Sequence, residues 1–458
     1  MKWTMAPSGM AEAAGVVIAA LLADGHEAFF VGGCLRDELL GRPVHDMDLT
    51  TSALPEEVIA LFPRCVPTGL AHGTVTVLQG GHSFEVTTYR TESGYADHRR
   101  PEHVSFVRDV KEDLRRRDFT INAICCGQDG VMIDPFHGAR DLQLRLIRCV
   151  GKAEERFDED ALRMLRCVRF ASVLDFAIAK NTWRGLLRQR DKLAHIAVER
   201  MRSEIERIVE GPHPQRGLGL LLRSGLLPRG KAPFPWTGRD LAAAAARSAG
   251  LADLQDARLR WALLLHALGS SADTAGELLR AWKFPGAALS GIAAVLRVRE
   301  AWDAALAAEA PEDPGASAGL RRRWIAAVLA HGRSAAEGWL TVAEAAERAA
   351  GCSATATPTP ERGAFSLGAA AASTSGPGSK ASLPGIAQMR SWTAEMRLQS
   401  LGELAVSGHE LTAVLDKRPG PWLGVLLNRL LLAAAAGEIA NDNQLLLQEA
   451  QRMDRDEE

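Results

Sequence analysis

The sequence predicts an α+β protein: a mixed β-sheet with helices packed on it, followed by a long all-helical remainder. Three observations carry this. Short β-rich runs broken by Gly and Pro fill the first ~150 residues. Beyond Gly151 the β signal vanishes, and Ala-, Leu-, Arg- and Glu-rich stretches repeat apolar residues at helical spacing. Residues 351–388 are so rich in Ala, Ser, Thr, Gly and Pro that they bury little apolar surface and read as a linker or insertion.

In chain order, residues 11–22 read as a packed helix, because their apolar run is too short to span a membrane. Expected strands are 28–31, 47–51, 74–79, 84–89, 103–107, 121–126 and 132–133, with a helix at 54–61. Mixed elements of this kind form a sheet covered by helices. Expected helices then follow at 159–174, 198–209, 241–268, 274–282, 287–308 and 320–349, punctuated by Pro and Gly. After the linker come 387–397, 408–414 and 421–451.

Composition narrows the function classes. Apolar residues make up 47% and charged residues 24%, which excludes wholesale disorder and fibrous repeats. No apolar run is long enough for a membrane span. Seven cysteines are an odd number without CxxC spacing, which suits reduced thiols in the cytoplasm. The net charge of −2 does not announce a nucleic-acid partner, so any such partner must meet local basic surface. Candidate clusters are Arg99-Arg100, Arg115-Arg116-Arg117, Arg163/Arg166/Arg169, Arg200/Arg202/Arg207 and Arg321-Arg322-Arg323.

Five local features carry chemistry. Gly32 and Gly33 follow a strand and open a helix, a place where backbone amides approach a phosphate, and Arg36 adds a planar cation. A glycine pair also serves any tight turn. Asp46 and Asp48 alternate about Met47, so on a strand they share one face. Two neighbouring carboxylates repel unless a cation lies between them, and a hard divalent ion, Mg²⁺ first, suits oxygen donors. They equally suit a pair capping the following turn. Glu85 sits on a later strand and could join that face, or simply face solvent. Asp113–Ala123 reads DLRRRDFTINA. Its arginines need water, phosphate or carboxylates, and Asp118 and Asn122 can orient an arginine or meet a ribose hydroxyl. Finally, EDALRMLRCVRF places Asp160 and Arg163 at helical i,i+3 spacing, a donor and acceptor pair able to meet a base edge. Alone it is a surface ion pair worth ~0.3–0.5 kcal/mol. Arg163, Arg166 and Arg169 form one side of that helix, facing anionic ligand, opposite Leu162, Leu165 and Val168.

Taken together, the segments AFFVGGCLRDELLGRPVHDMDLTTSALPEEV, PTGLAHGTVTV, FEVTTYRTESGYADHRRP, EDLRRRDFTINAI, DPFHGARDL, RFDEDALRMLRCVRFAS and ERMRSEIERI resemble the class II tRNA nucleotidyltransferases. These are the CCA-adding enzymes, within the nucleotidyltransferase and poly(A) polymerase superfamily. The resemblance covers about residues 25–210, with a weaker echo near the end in GHELTAVLDKRPGPWLGVLLNRLLLAAAAGEIANDN. It implies a catalytic head at 1–150, a nucleotide-selecting neck at 151–212, a body at 213–350 and a tRNA-binding tail at 389–458, the linker lying between the last two. It implies Asp46 and Asp48 as ligands of catalytic Mg²⁺, with Glu85 beside them. Gly32, Gly33 and Arg36 would hold the triphosphate, and Arg116, Arg117 and Asp118 the nucleotide and its ribose. Asp160 and Arg163 would act as a protein template for C and then A. The implied substrates are tRNA, CTP and ATP, and the implied compartment is the cytoplasm, with no membrane.

Relatives sharing such a head add only CC, add only A, or make poly(A). The loop at 92–101 favours competence for A addition, and 67–73 looks like the CCA type rather than the poly(A) type. A non-catalytic RNA-binding protein has no need of Asp46 and Asp48. A phosphohydrolase domain is not expected, because His45-Asp46 is the only His-Asp dipeptide. No feature of the sequence specifies an oligomeric state.

Overall fold

A computed structural model describes residues 2–94, 103–232, 234–308, 316–353 and 384–456. It divides into two compact units, Met1–Pro235 and Trp236–Glu458.

The first unit is built on a seven-stranded sheet with order β3-β4-β5-β2-β1-β8-β9. These are β1 (Ala28–Val31), β2 (Asp48–Thr51), β3 (Cys65–Gly69), β4 (Thr74–Gln79), β5 (His82–Thr88), β8 (Cys125–Cys126) and β9 (Met132–Ile133); a separate hairpin pairs β6 (Arg90–Ser93) with β7 (His103–Phe106). Only β2 and β5 run parallel; every other pair in the large sheet is antiparallel. The helix α1 (Ser8–Ala23) covers one face, burying Met10, Ala13, Ala14, Val17, Ile18 and Leu21 at a 3.6-residue period. The short helices α2 (Gly33–Leu39), α3 (Pro55–Leu61), α4 (Val110–Arg115) and α5 (Gly138–Gln143) complete the head.

Five helices follow in the same unit: α6 (Ala153–Glu159), α7 (Leu162–Val173), α8 (Lys180–Gln189), α9 (Val198–Val209) and α10 (Pro214–Ser224). The second unit is helical among the described residues. It runs α11 (Gly238–Arg247), α12 (Ala257–Ala267), α13 (Ala272–Ala281), α14 (Gly286–Ala308), α15 (Ala316–His331), α16 (Arg333–Ser353), α17 (Ile386–Glu395), α18 (Gly408–Val414), α19 (Pro421–Ala435) and α20 (Asn443–Arg455). No helix among the described residues is long and apolar enough to cross a membrane.

The structure corrects several expectations. Residues 121–126 are not one strand: a 3₁₀ turn at Thr120–Asn122 precedes the two-residue β8. The Asp118 side chain accepts the Phe119 amide at 2.7 Å, and the Thr120 hydroxyl donates to Asp141 at 2.7 Å. The first is a local side-chain bond that competes with a ladder, and the second ties the turn to α5. The expected helix 159–174 breaks at Asp160, whose backbone is extended. The long helices 320–349 and 421–451 each split, at Gly332 and Gly437, both at positive φ. The stretch 241–268 splits around a 3₁₀ turn at Ala249–Asp253. One short strand does lie beyond Gly151: β11 (Ala177–Ile178) pairs in parallel with β10 (Leu146–Ile147). The supposed linker begins inside α16 and ends inside α17, and residues 354–383 lie outside the described residues, as do 95–102 of the loop at 92–101.

Candidate active site

The register of three strands gathers the site at one end of the sheet. Val31 at the end of β1 pairs with Asp48 on one side and Cys125 on the other. Gly32 therefore leaves the sheet beside the carboxylate of Asp48. Its φ of 78° suits glycine, and an added Cβ would come within 3.0 Å of Arg117 Nη1. Its own amide donates to the Ile124 carbonyl at 3.1 Å, so that N–H holds the turn.

Met47 is buried at 1% exposure, whereas Asp46 is exposed and Asp48 half-buried, as alternation requires. The parallel pairing of Leu49 with Val86 sets Glu85 next to Asp48 on the solvent side of β5. The Asp48 carboxyl is pushed up to about 6: burial is the largest cause, Asp46 and Glu85 add repulsion, and Arg117 opposes. Among the described residues, no three His, Cys, Asp or Glu side chains close into a metal cage. What the chain presents is an edge of hard oxygen donors whose mutual repulsion Arg117 offsets only in part. That donor set fits a divalent cation held by Asp46 and Asp48.

The basic turn is bound from two sides. Arg116 pairs with the fully buried Asp113 at 2.7 Å and with Glu92 at 3.1 Å. Arg117 reaches Asp113 at 3.6 Å, and its Nε is buried without a hydrogen-bond partner. From the other side, α6 and α7 send three guanidiniums. Arg156 donates to the Arg115 carbonyl at 3.2 Å and Arg163 to the Arg116 carbonyl at 3.0 Å, while Arg166 pairs with Asp118 at 2.7 Å.

Asp118 is the hub. One carboxylate oxygen accepts from the Phe119 amide and from Asn122 Nδ2 at 3.1 Å, the other from Arg166 Nε and Nη2. Burial pushes its pKa up, but Arg166, Asn122 and Arg163 outweigh it and hold the carboxyl at about 2. A carboxylate accepts about four hydrogen bonds, so a ribose hydroxyl reaching Asp118 displaces one already made. Asn122 in turn accepts from Arg36 at 2.7 Å, and Arg36 also pairs with Asp37 at 2.7 Å.

Asp160 and Arg163 do not pair with each other as helical spacing suggested. Asp160 sits at the break, accepts the Leu162 amide at 3.0 Å and pairs with Arg200 at 2.9 Å; Arg163 pairs with Glu159 at 2.6 Å. Nor do Arg163, Arg166 and Arg169 form an uncompensated basic face, because each has a carboxylate. Arg169 is buried against Glu204 at 2.5 Å. The other clusters behave alike. Arg202 pairs with Glu206, Arg321 with Glu395 and Arg322 with Glu438. Arg99-Arg100 lies outside the described residues.

Sequence reasoning gave no place in the site to Glu92, Asp113, Arg156, Phe170 or Glu204, and read Arg200 only as part of a basic cluster. The acid at Asp113 three residues before Arg116 was a usable signal. The remaining partners are brought in by tertiary packing.

Residues 28–148 match the poly A polymerase head domain, 175–229 a segment described as the probable RNA and SrmB-binding site of polymerase A, and 385–450 a tRNA nucleotidyltransferase domain 2. The fold and the carboxylate edge thus define a nucleotidyltransferase with a poly(A) polymerase-type head. The chain is 38% identical to the CCA-adding enzyme of Geobacillus thermodenitrificans and 39% identical to that of Geobacillus stearothermophilus, in both cases over 93% of each chain. The structure of the Bacillus stearothermophilus CCA-adding enzyme in complex with CTP superposes with a TM-score of 0.76 at 34% identity, covering 98% of this chain and 99% of that one. The Thermotoga maritima CCA-adding enzyme complexed with tRNA shares the fold at 18% identity, TM-score 0.59. The chain belongs to the CCA-adding enzymes.

Proposed function

We propose that this protein completes the 3′ end of tRNA, adding C, C and A from CTP and ATP with release of pyrophosphate and without a nucleic-acid template. The observation that carries it is the likeness to CCA-adding enzymes along nearly the whole chain; it is supported by the register that sets Asp48 beside the Gly32 turn and Glu85. Enzymes of this superfamily are metal-dependent.

Asp46 and Asp48 would hold Mg²⁺, which lowers the pKa of the attacking 3′-hydroxyl and neutralises charge on the leaving pyrophosphate. Glu85 adds a third carboxylate to that edge. Arg36, fixed by Asn122 and Asp37, and Arg117, with its buried spare donor, meet the triphosphate as charge develops. The amide of Gly33, rather than the committed amide of Gly32, faces the phosphate. Asp118 and Asn122 read the ribose, by exchanging one of the bonds they now make. Asp160 and Arg163 present an acceptor and a donor to the base edge, while Arg166 and Arg169 act from behind them. Arg116 acts through Asp113 and Glu92 by holding the turn.

The residues 1–150, 151–212, 213–350 and 389–458 serve as head, neck, body and tail. The cytoplasm is the compartment we assign, supported by the free thiols of Cys34, Cys65, Cys125, Cys126, Cys149 and Cys167.

The test uses three tRNA transcripts ending before CCA, after C and after CC, each with CTP, ATP or both, and products sized at single-nucleotide resolution. All three starts should be extended to a completed CCA and stop there. Addition of only CC or only the final A would move the protein to a specialised branch. Long A tails on any RNA would make it a poly(A) polymerase, and no extension would overturn the enzymatic reading.

A further inference from the structure

Phe170 on α7 has three guanidiniums over one ring. The Cζ of Arg169 lies 4.0 Å from the ring centroid, that of Arg36 5.2 Å and that of Arg166 5.3 Å. The ring is 5% exposed and stands edge-on to Phe119 at 5.7 Å, with planes at 80°. Three like charges gathered this closely repel, and each is offset by its own carboxylate: Asp37 for Arg36, Asp118 for Arg166 and Glu204 for Arg169. Those carboxylates come from three different segments, α2, the 115–118 turn and α9. The ring lies within 5.3 Å of all three guanidiniums. Its π face attracts cations within about 6 Å, and more strongly where water is excluded.

The cations differ in standing. Arg169 is closest, buried and tied to α9 through Glu204, so it anchors the ring. Arg36 comes from α2, just after the glycine turn, and bonds Asn122; Arg166 bonds Asp118. These two belong to the nucleotide groups.

We propose that Phe170 is a positioning residue for nucleotide binding: its ring holds Arg36 and Arg166 in one plane of approach, so that the triphosphate and ribose groups are preset before CTP or ATP arrives. This rests on the CCA-adding reading. Phe170 itself meets no substrate. Pre-organised cations bind an anion without first losing side-chain freedom, so loss of the ring weakens nucleotide binding more than the chemical step.

The test compares Phe170→Leu, which keeps an apolar side chain, with Phe170→Tyr, which keeps the ring. Steady-state incorporation is measured with CTP and ATP varied at saturating tRNA, then with tRNA varied. Phe170→Leu should raise KM for both nucleotides about tenfold, with kcat and the KM for tRNA within about twofold of wild type. Phe170→Tyr should restore nucleotide KM to near wild type. In an Arg36→Met background the effect of Phe170→Leu should shrink, because one of the cations it positions is gone. Unchanged nucleotide KM in Phe170→Leu, an equal rise in tRNA KM, or a Phe170→Tyr variant no better than Phe170→Leu would each overturn the proposal. If Phe170→Leu does not fold, Phe170→Met is read in its place. An inactive wild type overturns the function and this inference together; an active wild type without the KM split overturns this inference alone.

Discussion

At the scale of the residue, the two side chains to which we assign base selection are held before any nucleotide arrives. Asp160 is held by Arg200 and by the Leu162 amide, and Arg163 by Glu159 and the Arg156 and Arg116 carbonyls. The Asp160 carboxylate, which accepts about four bonds, has three donor contacts, from the Leu162 amide and from Arg200 Nη1 and Nη2. Replacing both by alanine should leave an unselective pocket. Discrimination of CTP and ATP against UTP and GTP, measured as ratios of kcat/KM, should fall about tenfold or more, as loss of one or two matched hydrogen bonds implies. Unchanged ratios would show that the base is read elsewhere. The identity of these two residues was legible because their chemistry is in their side chains. Their geometry was not: an i,i+3 pair assumes an unbroken helix, whereas Asp160 is extended, caps the Leu162 amide and pairs with Arg200, forty positions away.

At the scale of the element, strands that alternate cleanly were legible, and those specified by side-chain bonds were not. The strand at 28–31 follows from a short continuous apolar run and the one at 74–79 from apolar alternation, and the structure has both. The turn at Thr120–Asn122 hides in a sequence that reads as β, because Asp118 and Asp141 take its polar groups and neither bond is local to a ladder. This turn positions Asn122 and so Arg36. It is backed by Gly138 at the start of α5, where an added Cβ would run into the Thr120 carbonyl oxygen. Backbone cannot yield as a flexible side chain can. Gly138→Ala should therefore destabilise by about 1–3 kcal/mol, the usual range for overpacking. It should also raise nucleotide KM, read by urea denaturation alongside steady-state kinetics. A stable variant with normal KM would mean that the turn does not depend on this approach.

At the scale of the whole molecule, one compact unit carries a vulnerability to acid. In the unit Trp236–Glu458, His266 is edge-on to Trp339 at 5.1 Å, and its Nδ1 accepts from Arg299 at 2.9 Å. Burial, then Arg299 and Arg247, lower its pKa to about 3. The neutral ring is thus the folded form, while the unfolded chain binds the proton near pH 6.5. Between these values the unfolded state binds more protons, so stability is constant above about pH 6.5 and falls as pH drops, by roughly 1.4 kcal/mol per pH unit. His266→Gln should flatten that fall between pH 6.5 and 5, measured as the urea midpoint at each pH; an unchanged slope would sink the assignment. None of this was legible in the sequence, where His266 is one histidine in a leucine-rich helix. Net charge was equally mute about RNA, because it sums arginines that the fold has matched with carboxylates.

The three guanidiniums that α6 and α7 send into the 115–118 turn make gauge and tool a single casting. The helices we assign to measuring the base and the turn we assign to gripping the phosphates share bonds, so little backlash can open between them. Each cut is made at the setting at which the piece was measured. When heat loosens that joint, accuracy and speed will be lost at the same temperature, leaving no interval in which the enzyme works fast but carelessly.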